Sequence, residues 1–427
     1  MERNRRRDRQ RRRDRPKPKL TVASSSSSSP TTEPPEGVAT PTVHDVPDHV
    51  LELILLRLDD SVCLVRAASA CRRWWRVVAD PGLLDCFRLL RVPLILGHYA
   101  SQRTTGDPVF VPSPTRSIHS LQSFNFDFVP RIDGTWKIAD SRDTLLLLLK
   151  ANGTVRSRRF NPELVVCEPL TRRYEALSCP PGMLSGGPSY LGVFLVDGRP
   201  GGGHGRSSSI GLSNFKVIGV RLREHATARG RGVPGVCVYS RREGSWYSAS
   251  CVCDGDIQIT DWVESLSFAG RANGSLYWGI RGAHAALAVD EATARASQVA
   301  LPEAGSNQLQ PRYDGRCFRV MGGEDGALRV VRLIEKDLRV FARFHGGGGE
   351  WVLERLLELP GDPYGLLGVH QTYVLVRPRH CTKVFPLDVK TIAWGRVQDL
   401  NMCCDGEAYT YELPWPPILK ACGDSPR

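Results

Sequence analysis

The sequence predicts an α+β multidomain chain, with a small all-α module near its start and a much larger all-β region after it. Three observations carry this. Between residues 43 and 90 apolar residues recur at helical spacing. From about residue 92 that period gives way to short β-rich runs separated by Gly, Asn-Gly and Pro. The 427 residues also include 41 glycines and 30 prolines, which favours many turns over long helices.

The chain opens with a tail, expected to be disordered over residues 1–42. Residues 1–19, MERNRRRDRQRRRDRPKPK, hold eleven Lys and Arg against three acids, most of the net charge of +12. Like charges repel, Ser24–Ser29 is a homopolymer, and Pro30, Pro34, Pro35 and Pro41 oppose a helix. The Arg run suits nuclear import or salt-sensitive attraction to nucleic acid. No aromatic residue is interleaved for base stacking, so specific nucleic-acid reading is not expected.

Residues 43–90 differ completely. In VHDVPDHVLELILLRLDD, Asp45 can cap a helix, and Pro47 lies in the first turn, where no N–H is needed. Val50, Leu51, Ile54, Leu55 and Leu58 then share one face. SVCLVRAASACRRWWRVVAD follows, placing Leu64, Ala68, Cys71, Trp75 and Val78 at alternating steps of four and three. Asp80-Pro81 stops that run and can open a third helix, GLLDCFRLL. At ~100° per residue from Cys71, Trp74 falls near −60° and Trp75 near +40°, with Arg72, Arg73 and Arg76 opposite. A segment of ~45 residues is too small to bury so wide a face well by itself, so either the large domain or another protein is expected to cover it.

VPDHVLELILLRLDDSVCLVRAASACRRWWRVVADPGLL resembles an F-box. Val46-Pro47 stands where that family has Leu-Pro, and Ala70-Cys71-Arg72-Arg73-Trp74 stands for its Cys-x-x-Trp element, followed by Asp-Pro. The resemblance implies a three-helix module that docks on a Skp-type adaptor and, through it, a cullin–RING ubiquitin ligase. It implies adaptor contacts from Val46, Pro47, Leu51, Ile54, Leu55, Leu58 and Leu64, with Ala68, Cys71, Trp74 and Trp75 divided between core and interface.

Residues 91–420 repeat loosely. Comparable units begin at LILGHY, LLLLLK, FKVIGV, LSFAGR, FRVMGG and YVLVRP, about 50 residues apart once the Gly-rich insertion at 197–211 is set aside as a disordered loop. Asn-Gly and Asp-Gly hairpin signals sit in LLKANGTVR, GRANGSLYW and GGEDGALRVV. Strand–turn–strand units with a Thr in the turn appear in VVCEPLTRRYEAL, ALAVDEATARASQVALP and VFPLDVKTIAWGRV. Trp246, Trp278, Trp351 and Trp394 recur at strand positions. Repeats of this length with about four strands each predict a β-propeller, six-bladed by the count of units. With the terminal YTYELPWPP, these units resemble the propeller-like domains that follow F-boxes in plant, particularly grass, F-box proteins. That resemblance implies a receptor that recruits a protein target for ubiquitination and does no chemistry itself.

The sequence offers no catalytic, cofactor-binding or metal site. Gly230-Arg231-Gly232-Val233-Pro234-Gly235 matches G-x-G-x-x-G, but a strand follows it where a dinucleotide site needs a helix. The thirteen cysteines form no Cys-x-x-Cys pair and read as reduced thiols. No apolar run nears the ~20 residues that span a bilayer, and the charged N-terminus lacks a signal-peptide core. A nuclear or cytoplasmic location without membrane contact is expected. The competing readings are an adaptor complex without a ligase role, a propeller enzyme whose site sequence spacing hides, and a nucleic-acid-associated protein acting through its tail.

Overall fold

The computed structural model describes residues 46–58, 61–90, 95–101, 108–113, 124–130, 135–151, 164–181, 183, 190–198, 210–224, 232–249, 266–281, 283–302, 317–323, 325–344, 349–360, 364–370, 373–378, 381, 383–394, 398–399 and 407–412. The basic tail, most of the Gly-rich insertion and the closely spaced cysteines Cys251, Cys253, Cys403 and Cys404 lie outside these residues.

Four helices come first: α1 (Asp48–Leu55), α2 (Ser61–Ala70), α3 (Arg72–Val78) and α4 (Pro81–Leu90). The expectation was three. The fourth arises because the second amphipathic run is cut at Cys71, which is extended (φ −160°, ψ 166°) and stands as the N-cap of α3. The alternating steps through Leu64, Ala68, Cys71 and Trp75 therefore span two rods, not one face. Helix α1 starts just after Pro47, and Leu58 lies in the turn beyond it, its N–H bonded to Leu55 O at 3.1 Å. Asp80 caps α4, its Oδ1 accepting the N–H groups of Gly82 at 2.8 Å and Leu83 at 3.1 Å, and Pro81 takes the first helical position. Leu51, Leu55, Leu64, Ala68, Val77, Val78, Leu83, Leu84 and Phe87 form one buried core, with Trp74 and Trp75 half-buried against it. Arg73 reaches Asp48 at 2.7 Å and ties α3 to α1.

The rest is all-β. β1 (Ile95–Ser101) pairs antiparallel with β2 (Pro108–Pro112). Then come β3 (Thr135–Arg142), β4 (Leu145–Ala151), β5 (Leu164–Glu168) and β6 (Arg173–Leu177), hydrogen-bonded in that order. β7 (Tyr190–Asp197), β8 (Phe215–Glu224), β9 (Gly232–Ser240) and β10 (Ser245–Ala249) repeat the plan. So do β11 (Leu266–Ala272), β12 (Ser275–Ile280), β13 (Ala285–Asp290) and β14 (Ala296–Ala300). β15 (Phe318–Gly322), β16 (Leu328–Ile334), β17 (Asp337–Arg343) and β18 (Val352–Glu358) follow, and then β19 (Tyr364–His370), β20 (Tyr373–Pro378), β21 (Lys383–Asp388) and β22 (Gln398–Asp399). The last strand, β23 (Ala408–Glu412), pairs with β1 and so joins the end of the region to its beginning.

First strands of successive sheets meet: β3 touches β7 and β23, β15 touches β19, and β19 touches β23. β11 and β15 come close enough to pair in parallel, Gly270 opposite Val320. Antiparallel meanders whose first strands gather around one centre are the plan of a β-propeller.

Local chemistry explains the repeated units. Asp290 Oδ1 accepts the N–H groups of Ala292 (3.1 Å) and Thr293 (2.7 Å) and the Thr293 hydroxyl (2.7 Å). Asp388 holds Lys390 and Thr391 in the same way. The next residue turns left-handed in each, Ala294 and Ile392 both at φ 57°. Asn273 and Gly274, at φ 47° and 74°, make the two-residue hairpin expected of them. Asn152-Gly153 lies outside the described residues, but β4 and β5 pair with Leu149 opposite Leu164, too far apart in sequence for a two-residue turn. Trp246 and Trp351 stand on or beside outer strands and donate their indole N–H to the preceding sheet, at Ser178 O (2.8 Å) and Ala300 O (2.9 Å). Trp278 instead sits buried on a second strand, and Trp394 is 41% exposed. The sequence units also mix phases: LSFAGR and FRVMGG are first strands, the other four second strands. Both strand types are apolar and buried, so spacing reveals the period and not the phase.

Candidate functional site

The residues expected to meet an adaptor separate into two sets. Leu51, Leu55, Leu64 and Ala68 are buried inside the helical core. Val46, Leu58, Cys71, Trp74 and Trp75 are partly covered, and Pro47 and Ile54 are exposed. Leu53 on α1 and Val65 on α2 are exposed as well. They lie off the face that helical spacing selects, so the periodicity passes over them.

The ring carries a second candidate. A cavity of about 430 Å³ opens among β3, β11, β15, β19 and β23. Strands β3, β7, β11 and β19 each skip one residue in their ladders, at Ala139, Leu191, Ala269 and Leu367. The residue after the skip is glycine in three of them: Gly192, Gly270 and Gly368. At Gly270, with φ +139°, a Cβ would stand 2.3 Å from Val320 O, and at Gly368 2.6 Å from Ala408 O. Those glycines let the next first strand approach closely.

In β3 the same place holds Asp140. Its Oδ2 accepts the Leu195 N–H from β7 at 2.8 Å and Arg271 Nη2 from β11 at 2.9 Å. Arg271 Nε stands 2.5 Å from Glu291 Oε1, and Arg142 Nη1 3.0 Å from Glu291 Oε2. Leu195 O accepts from Arg271 at 2.9 Å and Arg142 at 3.3 Å. Burial pushes the Asp140 carboxyl above its ordinary range, and Arg271, the Leu195 N–H and Arg142 offset this only in part. Burial works against the charged Arg271, but Asp140 and Glu291 outweigh it and hold the guanidinium more firmly protonated than usual.

Two further pairs line the cavity. Arg319 Nη2 donates to Leu366 O at 3.2 Å and Glu407 Oε1 at 3.4 Å. His370 Nε2 lies 2.7 Å from Glu412 Oε1, and its ring stacks on Tyr373 with centroids 5.2 Å apart. Tyr373 OH in turn meets His98 Nε2 at 3.0 Å. Burial pushes the Tyr373 and Tyr409 hydroxyls up, so both stay protonated. Charged groups fixed in a half-enclosed cavity can recognise a charged or strongly polar ligand.

Sequence reasoning assigned no site here. Asp140 and Arg271 are 131 residues apart, and Arg142 and Glu291 149, so no local motif joins them. The available signal is one exception: IADSR stands where YLGVF, FAGRA and LLGVH carry glycine. Reading it requires the strand phase. Gly232-Val233-Pro234-Gly235 lies in β9, in line with rejecting a dinucleotide loop there. Among the described residues, no group of three or more His, Cys, Asp or Glu could hold a metal ion, and no helix is long and apolar enough to cross a membrane.

No protein-family model and no curated protein matches the chain. Among solved structures it is similar to a streptogramin B lyase, at 11% identity and a TM-score of 0.34, over 72% of this chain and 84% of that one. It is similar to the Cps50 (Swd1) β-propeller domain of Myceliophteria thermophila, at 11% identity and a TM-score of 0.35, over 72% and 87%. YCF48 from Cyanidioschyzon merolae matches at 10% identity and a TM-score of 0.35, over 74% and 90%. At such TM-scores these likenesses carry no argument about function, and the ring rests on its own strand order and register.

Proposed function

We propose that this chain is the substrate-receptor subunit of a Skp–cullin–F-box E3 ubiquitin ligase, of the plant, grass-type F-box kind. The helical module would hold a Skp-type adaptor, and a six-bladed propeller would hold a protein target, in the nucleus or cytoplasm. The blade count takes the eight-stranded sheet as two blades and completes the first blade with β23. The role is positional: bringing a target's lysines beside the conjugating enzyme raises their effective concentration.

The observation that supports this reading is the split among apolar side chains in the helical module. Leu51, Leu55 and Leu64 fill its core, while Leu53, Ile54 and Val65 stay 60%, 47% and 39% exposed. Covering a side chain of this size is worth ~1.5–3 kcal/mol when complete. Such a set next to a finished core suits a module that docks, and the F-box resemblance names the partner.

The test is co-expression of the full chain with a plant Skp-type adaptor, followed by size exclusion. Wild type is expected to co-elute at equal stoichiometry, and a Leu53→Asp/Ile54→Asp variant to elute alone with an unchanged melting curve. Both substitutions fall on exposed positions, so lost binding is not lost folding. A wild-type chain that ignores the adaptor overturns the reading. Reconstituted ubiquitin transfer to a bound target then separates a ligase role from an adaptor complex without one.

A further inference from the structure

The cavity in the ring has more acceptor character than its own arginines use. Four lining carboxylates, from Asp140, Asp143, Glu407 and Glu412, face three guanidiniums, from Arg142, Arg271 and Arg319. The Glu291 carboxylate also engages Arg142 and Arg271. Arg319 is directed at backbone carbonyls and Glu407, with only 5% of its side chain exposed.

Glu412 is placed differently. Among the described residues its carboxylate bonds only to His370, through Oε1. An imidazole is an uncharged partner unless protonated. The His370 side chain is 7% exposed, and its Nδ1 has no hydrogen-bond partner among the described residues. In the neutral tautomer that carries its proton on Nε2, facing Glu412, Nδ1 is an open acceptor. Asp140 adds another: its bonds to Leu195 and Arg271 both fall on Oδ2. Asp140 and Glu412 each keep 13% of their side chains exposed.

Buried acceptors without donors are costly, and a group that brings several N–H donors and a positive charge satisfies them together. We propose that this cavity binds a cationic side chain, the guanidinium of arginine or the ammonium of lysine, presented on a peptide, with Glu412 as its anionic anchor. About 430 Å³ suits one long side chain and the backbone on either side of it. That the peptide belongs to a ubiquitination target rests on the function proposed above, whereas the charge preference of the cavity does not.

The test is calorimetric titration of the full chain, at low salt, with acetylated and amidated alanine pentapeptides. Their central residue is arginine, lysine, citrulline or glutamate. The arginine and lysine peptides are expected to bind about tenfold more tightly than the citrulline and glutamate peptides. Glu412→Gln keeps an acceptor for His370 and is expected to weaken the arginine peptide about tenfold. Glu175→Gln, whose carboxylate pairs with Arg241 away from the cavity, is expected to change nothing. Equal affinity for arginine and citrulline, or no heat at millimolar peptide, overturns the proposal. If Glu412→Gln loses its melting transition, the wild-type comparison of arginine with citrulline still decides. Adaptor binding without charge preference would sink this inference and leave the ligase reading standing, and the opposite result would do the reverse.

Discussion

In the ring, the inner strands of a sheet are buried on both faces between neighbouring sheets, whereas in the helical module each helix buries one side. Leu145, Leu147 and Val166 of one sheet share a core with Val193, Leu195 and Val217 of the next. Phe194, Ile218 and Val238 of that sheet then meet Leu276, Trp278 and Leu287 beyond it. The pattern passes from sheet to sheet, and β5 accordingly has all five residues buried. The four short helices close around one core of nine side chains and leave Leu53, Ile54, Val65 and Leu90 in solvent. The inner strands of the ring complete their burial against neighbouring sheets, and its outer strand β18 leaves Val352, Leu353 and Leu356 exposed. The module leaves its exposed apolar residues directly beside its single core, and that is the surface the proposed adaptor would cover.

The largest effect is expected where the ring is tightest. Gly270→Val places a branched side chain at φ +139° against Val320 O. Glycine alone tolerates that backbone, so the variant should lose about 3 kcal/mol or more, read as the urea midpoint of the ring. A variant that melts like wild type would show that first strands can separate freely, and the contrast with the module would collapse. Leu55→Ala should cost ~2–5 kcal/mol through the cavity it leaves in the module core. Its effect should be local: fluorescence of Trp74 and Trp75 should report earlier loss, while near-ultraviolet dichroism of the ring keeps its transition. Joint melting of both regions would mean they are one cooperative unit.

Trp351→Phe is a smaller perturbation, removing the indole bond to Ala300 O at 2.9 Å while keeping most of the ring's area. A loss of ~1 kcal/mol is expected in the same urea titration. No loss would show that the bonds between outer strands are incidental and that packing alone sets the spacing of the sheets.

Much of the fold could be read in advance because its causes are local. The Asp-x-x-Thr turns at 290 and 388 and the Asn273-Gly274 hairpin each depend on a few adjacent side chains. The break at Cys71 was hidden because the apolar spacing continues across it, and the extended backbone there carries no side-chain capping bond. The cavity was hidden for another reason. Asp140, Arg271 and Glu291 meet only through ring geometry, and each is unremarkable in its own strand or, for Glu291, turn. Asp140 stands out only once Gly192, Gly270 and Gly368 are aligned by their bulges.

Two aspartate–arginine pairs extend the comparison within the ring. Asp325 meets Arg329 through two bonds of 2.8 and 2.7 Å, and its side chain is 43% exposed. Those bonds from Arg329 hold its carboxyl far below the ordinary 3.8. Asp140 meets Arg271 at 2.9 Å, yet burial drives its carboxyl above 3.8. Contact with an arginine is common to both, so burial decides the sign. For Asp325 the folded pKa is depressed: its contribution is present above 3.8 and is lost as the pH falls below that. For Asp140 the folded pKa is raised: its contribution is present below 3.8 and is lost as the pH rises through the folded value. Urea midpoints measured from about pH 2 to about pH 7 test this. Asp325→Asn should flatten the acid limb, by a small amount because solvent screens an exposed pair. Asp140→Asn should flatten the profile on the other side, above 3.8. If both variants change only the acid limb, Asp140 is charged and satisfied in the folded ring. The cavity would then hold Asp140 as a second anionic acceptor beside Glu412, its Oδ1 free of the bonds that fall on Oδ2.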